Sequence, residues 1–173
     1  MGLWDVVPDS QRKQWTLEPF ASVGPLHFGM NPDQASAALG GIRPNPRWHD
    51  SHFNVMGGTY IEVGVTLYYA SGASLCGVAV DARRGPQVLG DGKALVGQVP
   101  SELEDWLISR AESRPPYTEL VYMPGAEVES RSLGVVVCLQ RAGDRLLTRP
   151  VSLAADATDD TYHRLPPEAW RIT

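Results

Sequence analysis

Two cysteines and two lysines are all that 173 residues hold of either type. Cys76 and Cys138 show no CxxC spacing and no companion pair of histidines, which excludes a structural zinc framework or a disulfide-rich scaffold. They read as small buried hydrophobes, reduced thiols in a reducing compartment. With only Lys13 and Lys93, positive charge is carried by arginine, and the formal net charge is -5. No basic run opposes that balance, so a phosphate-tracking surface and nucleic-acid binding are excluded. No unbroken apolar stretch approaches the length of a membrane helix. The opening MGLWDVVPDSQRKQW has no basic segment followed by an apolar one. A chain without a signal peptide, cytoplasmic and off the membrane, is therefore expected. Gly85–Gly92 is glycine-rich but lacks both the P-loop Lys-Ser/Thr and the dinucleotide fingerprint, and no cofactor is expected.

What is present is an apolar fraction of 43%, enough for a core, punctuated by glycine and proline. Residues 1–22 read as an N-terminal arm carrying Trp4, Trp15 and Phe20, with a short strand at 14–17. In GPLHFGMNPDQASAALGG (24–41), Asn31 is a helix N-cap, Pro32 suits the first turn and Gln34 completes a capping box. Ala35, Ala38 and Leu39 share a face, and Gly40-Gly41 stops the helix. Residues 42–58, rich in Pro, Asn and Gly, read as a loop. TYIEVGVTLYYA (59–70) reads as one strand with Ile61, Val63, Val65, Leu67 and Tyr69 on one face. LCGVAVDA (75–82) is its hairpin partner, with Cys76, Val78 and Val80 together. After a polar connection with one short strand, Pro100 opens a second helix with Leu103, Trp106 and Leu107 inward. Ser101 and Glu104 offer it a capping box. A short strand at 119–122 and the strands SLGVVVCLQ and LLTRPVSLAA follow, Pro150 suggesting an edge or a bulge. The tail 156–173 is polar, with Trp170 as an anchor.

At an offset of 68, Gly24, Gly29 and Pro32 meet Gly92, Gly97 and Pro100. Ala35, Ala38 and Leu39 then meet Leu103, Trp106 and Leu107 in phase. At an offset of 70, Gly64, Val65 and Leu67 meet Gly134, Val135 and Val137. A glycine lead-in, a Pro-capped helix, a long loop and a hairpin occur twice, and such repeats decide a fold. The expectation is an α+β fold: repeats over 23–90 and 91–155, each a helix plus a β-hairpin. Together they form one antiparallel sheet with short helices on one face. Each half alone would bury a marginal core.

The residues VGPLHFGMNPDQASAALGG also resemble the opening of SmpA/OmlA-like units, with their Gly-Met, polar N-cap pair, short helix and Leu-Gly. Units of that kind in tandem make up the β-lactamase inhibitory protein. The stretch is similar too to small actinobacterial proteins of the immunity type, from polymorphic toxin systems. The resemblance covers Val23–Ala82 well and Gly92–Ala155 weakly. It departs in having no lipobox cysteine and one cysteine per unit, where the inhibitor family has a disulfide in each. It implies a sheet face presented to another protein.

If Ile61, Val63, Val65, Leu67 and Tyr69 lie under the helices, Tyr60, Glu62, Thr66 and Tyr68 form the open face. Val136, Cys138 and Gln140 are their counterparts, joined by Leu75 and Ala79. Tyrosine suits such a face, offering area with a polar tip. Two alternatives stand: the face binds a partner, or the arm or tail covers it. Trp48, His49, His52 and Phe53 would border it as a contact loop, or serve as an ordinary solvated loop. The acidic groups Glu102, Glu104 and Asp105, with Asp156, Asp159 and Asp160, would steer a basic partner such as a nuclease toxin.

For chemistry, His49-Asp50-x-His52 with His27 or His163 offers a metal set, but the remote histidines argue against four converging ligands. Gly72-Ala73-Ser74-Leu75-Cys76 misses the nucleophile elbow in its last residue and in its hairpin context. Cys138 sits mid-strand, a packing position. With no acid/base pair to nominate, the expected function is a non-enzymatic protein-binding module: an inhibitor or immunity protein that occludes a toxin or another enzyme. The alternative is a small-ligand-binding or metal-dependent enzymatic domain using loop 42–58.

Overall fold

Glycine, proline and two alternating apolar faces shape the described residues into two sheets and two α-helices. The computed structural model describes residues 2–70, 72–114, 119–123, 127–157 and 165–173. Five short strands form one sheet: β1 (Gln14–Glu18), β2 (Ser22–Val23), β3 (Leu26–His27), β8 (Gln87–Gly90) and β9 (Lys93–Ala94), in the order β3-β2-β1-β8-β9. β1 pairs antiparallel with β2 and parallel with β8. The second sheet has eight strands. Four come from the first half: β4 (Arg47–Asp50), β5 (Val55–Tyr60), β6 (Val65–Ala70) and β7 (Ser74–Val80). Four come from the second: β10 (Leu120–Tyr122), β11 (Val128–Ser130), β12 (Val135–Ala142) and β13 (Arg145–Leu153). Their order is β10-β11-β12-β13-β7-β6-β5-β4, with neighbours antiparallel.

The α+β class holds, but the single sheet expected is two. Strands of two residues carry no readable alternation, which is why the smaller sheet was missed. Both strand orders read the same from either end when the β2-β3 hairpin is exchanged for β8-β9 and the meander β4–β7 for β10–β13.

Helix α1 (Pro32–Ala38) is capped as its sequence dictates. Asn31 Oδ1 accepts from the Gln34 amide at 2.8 Å and Gln34 Oε1 from the Asn31 amide at 3.0 Å. Helix α2 (Pro100–Glu112) starts at its proline, but Val99 is the cap residue and no side chain caps it, so the Ser101–Glu104 box is not made. Leu103 and Leu107 are buried and Trp106 packs beside them. Both helices and the small sheet cover one face of the large sheet. Between them lies the main core, including Trp15, Leu26, Leu39, Tyr60, Leu67, Leu75, Leu103 and Leu133. Among the described residues no helix is long and apolar enough to cross a membrane.

Three expectations about strands need correction. First, 59–70 is not one strand. Ile61–Gly64 is a turn joining β5 to β6, and Gly64 has φ 79. A Cβ at Gly64 would also come within 2.6 Å of the Gly85 Cα, so both conformation and space require glycine. Second, β7 carries a bulge. Tyr68 lies opposite Gly77 but Tyr69 opposite Leu75, with Cys76 as the extra residue. Leu75, Val78 and Val80 therefore share the main core, while Cys76 and Ala79 face the other side. Third, β13 is a central strand despite Pro150. Its pairing with β7 covers Val151–Leu153 only, so the proline stands where β13 parts from β7 and no ladder bond is lost there.

Candidate functional site

The second face of the large sheet is where the sequence placed a binding surface, and glycine shapes it. Trp48 on edge strand β4 pairs with Gly57, which pairs in turn with Tyr68. The indole lies across the glycine, since a Cβ at Gly57 would meet Trp48 Cζ2 at 2.0 Å. It reaches Tyr68 edge-on, with ring centroids 5.5 Å apart. Continuing across the sheet, Tyr68 faces Gly77, and Leu165 packs over that glycine. Leu165, Ala169 and Trp170 of the tail bury Tyr68, Ala79, Val136, Cys138, Val151 and Leu153. Arg149, only 7% exposed, ties the tail down: its Nη2 donates to the carbonyls of Ala169 at 2.8 Å and Arg171 at 3.1 Å. The tail thus covers part of the face.

The rest is open as a cavity of about 660 Å³. Trp48, His49 and Asp50 wall it on the β4 side, Leu3, Arg83 and Arg84 opposite, and Pro166, Glu168 and Thr173 at the tail. Thr59, Thr66, Tyr68, Ala79, Asp81, Gln140 and Arg149 contribute from the sheet. The floor is cross-linked. Asp81 Oδ1 accepts from the amides of Arg83 and Arg84 at 2.8 and 2.9 Å, and its Oδ2 accepts from Gln140 Nε2 at 3.0 Å. Gln140 Oε1 takes the Ala82 amide at 2.7 Å. The threonine hydroxyls of 59 and 66 lie 3.2 Å apart. Trp4 is held between two guanidiniums, those of Arg83 and Arg141, 5.5 and 5.1 Å from its ring centroid.

The expected site residues divide. Thr66 and Tyr68 are on this face as read, and Trp48 and His49 line the cavity, although on a strand where a loop was expected. Tyr60 is not on it. The turn at Ile61–Gly64 resets the alternation, so Tyr60 pairs with Val65 and points into the main core, 1% exposed. Its hydroxyl lies 2.9 Å from Ser36 Oγ of α1. Glu62 is an exposed turn residue on a hollow at the other side of that turn, and Ile61 is 62% exposed instead of buried. His52 and Phe53 follow β4 in a turn organised by Asp50, whose Oδ1 takes both their amides at 2.9 and 3.0 Å. They stack edge-on at 4.8 Å and do not line the cavity. Leu75, expected on the open face, is in the main core because of the bulge.

Burial governs the titrating groups here. It pushes the Tyr68 phenol up to about 12, against the opposing pull of Arg149, and the Cys138 thiol likewise to about 12. Both are protonated at neutral pH. Among the described residues no three His, Cys, Asp or Glu side chains gather as metal ligands, and His163 lies outside those residues. The acidic residues Glu102, Glu104 and Asp105 belong to α2, on the opposite side of the sheet, where Glu104 accepts from the Tyr122 hydroxyl at 2.7 Å. Asp159 and Asp160 lie outside the described residues.

Sequence reasoning missed Arg149, Arg83 and Asp81. Arginine between Thr148 and Pro150 reads as a solvent position, and nothing local shows that a tail will lie over it. Compared with known proteins, the chain matches no family model, no curated protein and no solved structure.

Proposed function

We propose that this chain is a non-enzymatic binding protein of the inhibitor or immunity type. It occludes a partner protein with the cavity-bearing face of its eight-stranded sheet. The observation that carries this reading is the rim. Leu3 at 68% and Ile61 at 62% exposure line the cavity itself; Trp4, 43% exposed, packs on Arg83 of its wall, and Ile172, 58% exposed, precedes the lining residue Thr173. Large apolar side chains left in water around a concave polar floor are the pattern of a protein contact surface, with anchors from the partner entering the hollow. Cys138 lies enclosed beneath the tail and does not line the cavity, and Asp81 and Asp50 are held by local hydrogen bonds, which favours recognition over nucleophilic or acid/base chemistry. A reducing, cytoplasmic setting suits the two buried thiols.

The duplicated unit belongs to the same proposal. Hairpin, Pro-started helix and four-stranded meander follow in the same order twice, which supports two repeats in the manner of tandem SmpA/OmlA-like units; the second set opens at β8 (Gln87–Gly90), so its hairpin crosses the expected boundary between 23–90 and 91–155. A second reading, a small-molecule receptor, is favoured by the cavity volume, which falls among ligand pockets of roughly 300–1,000 Å³.

Thr66→Trp tests the choice. Thr66 is half-buried on the cavity floor, and an indole there fills the space while β6 keeps its inward residues. Tagged wild-type chain, Thr66→Trp and the opposite-face variant Glu102→Ala are compared in quantitative capture from the native lysate. A partner held by wild type and Glu102→Ala but weakened about tenfold or more by folded Thr66→Trp is expected. Equal capture by all three contradicts the proposal. A copurifying small molecule lost from Thr66→Trp, with no protein, supports the receptor reading instead.

A further inference from the structure

The charged side chains that line the cavity cancel. Three arginines, Arg83, Arg84 and Arg149, stand against three carboxylates, Asp50, Asp81 and Glu168. Most of them already have local partners. Asp81 is held by two backbone amides and Gln140, Asp50 by two backbone amides, and Arg149 Nη2 donates to two carbonyls of the tail. A charged group entering here meets both signs at once. Its attractions and repulsions offset one another, while the cost of leaving water remains. A neutral group escapes that cost.

Two features select a ring among neutral groups. Trp48 lies across Gly57 and is only half-buried, so part of its indole is left for a partner group in the cavity wall. Arg84 is exposed and forms no ion pair among the described residues. The chain itself shows how a neutral ring satisfies guanidiniums. Trp4 lies 5.5 and 5.1 Å from those of Arg83 and Arg141, and Arg83 belongs to the cavity wall.

We propose that the partner's anchor in this cavity is a neutral aromatic side chain, held against the Trp48 indole and the Arg84 guanidinium. This rests on reading the face as the contact surface and names what enters it. Leu3 and Ile61 on the rim take the residues flanking the ring, and a volume of about 660 Å³ has room for both. Aromatic side chains bury a large area and lose few rotamers on docking, which suits them as anchors. Affinity resting on such contacts changes little with salt.

The test titrates the full chain, labelled with ¹⁵N, with benzamide, benzoate and benzamidine. These share one ring and one planar head and are neutral, anionic and cationic at neutral pH. Isobutyramide serves as the neutral aliphatic control. Benzamide is expected to shift the Trp48 indole N–H and the amides of Thr66 and Gln140, and to bind about threefold or more tightly than each of the others. Arg84→Gln, a change at an exposed side chain, is expected to weaken benzamide and strengthen benzamidine, because one positive charge leaves a balanced lining. Benzoate or benzamidine binding wild type as tightly as benzamide at those groups overturns neutrality, and isobutyramide doing so overturns the ring. No shift at those groups with any compound, up to its solubility, overturns the anchor site. The contact face itself is judged separately, by capture with Thr66→Trp.

Discussion

Tyr60 and Tyr68 are eight residues apart and serve opposite faces of one sheet, and the difference lies in a single glycine. Because Gly64 turns the chain with a positive φ, Tyr60 ends β5 facing the helices and Tyr68 lies on β6 facing the cavity. Tyr60 is fully enclosed and meets Ser36 of α1, so Tyr60→Ala leaves a large void and an unmatched hydroxyl. A loss of about 3–5 kcal/mol is expected, read as a lowered denaturation midpoint in urea. Any binding defect of that variant then follows its unfolded fraction. A stability within about 0.5 kcal/mol of wild type contradicts the placement. Glycine is where the sequence was both most and least informative. Gly64 and Gly134 marked equivalent places in two halves, but reading Gly64 as a strand residue inverted Tyr60 and Ile61. Gly57 and Gly58 were taken as loop signals. They are strand residues beneath Trp48 and Pro44, and a Cβ at Gly58 would meet Pro44 Cβ at 2.6 Å.

Helices and strands are joined in the second half by a buried ion pair. Arg110 of α2 reaches Glu119 at 3.0 Å and Asp91 at 2.8 Å, the first pair nearly enclosed on both sides. Ser130 Oγ donates to Glu119 at 2.6 Å, with further bonds from Ser132. Burial pushes the Glu119 carboxyl up, yet the bonds from Ser130 and Ser132 and the charge of Arg110 outweigh it, and its pKa is lowered. A lowered folded-state pKa means that the unfolded chain takes up the proton first as pH falls. The stabilisation is thus fully present above the unfolded glutamate value of about 4.3 and disappears as pH drops through the folded value below it. Glu119→Gln is expected to cost about 3 kcal/mol at neutral pH by leaving Arg110 short of its buried partner. The variant is also expected to lose less stability than wild type between pH 5 and acid conditions, in urea titrations across that range. Parallel pH profiles contradict this account. None of the network was readable beforehand, because its members lie on α2, on β11 and in three connecting segments. The apolar spacing of Leu103, Trp106 and Leu107 was, because one helical face suffices to show it.

Order of elements, more than identity of residues, made the whole molecule partly legible. Proline and glycine punctuation placed both helices and both hairpins, and that order reappears in two strand arrangements that read alike from either end. β2, β3 and β9 have two residues each, too few side chains to reveal a period, so the five-stranded sheet stayed hidden although its central strand was legible at 14–17. The cover of the second face was open between two alternatives. The tail covers it in part: Leu165, Ala169 and Trp170 close one portion, and the remainder is a cavity with an apolar rim. The tail's grip depends on Arg149 and on two glycines that let Trp48 and Leu165 lie flat on the sheet, features that only the assembled fold brings together.

The central claim is that a partner protein seats on this second face. Amide hydrogen exchange of the full chain, measured with and without its captured partner, tests it most directly. Added protection is predicted at residues 59–66, 79–84 and 140–149, around the cavity, with α1 and α2 unchanged. Protection confined to the two helices and the five-stranded sheet, with the cavity strands exchanging as before, would contradict the account.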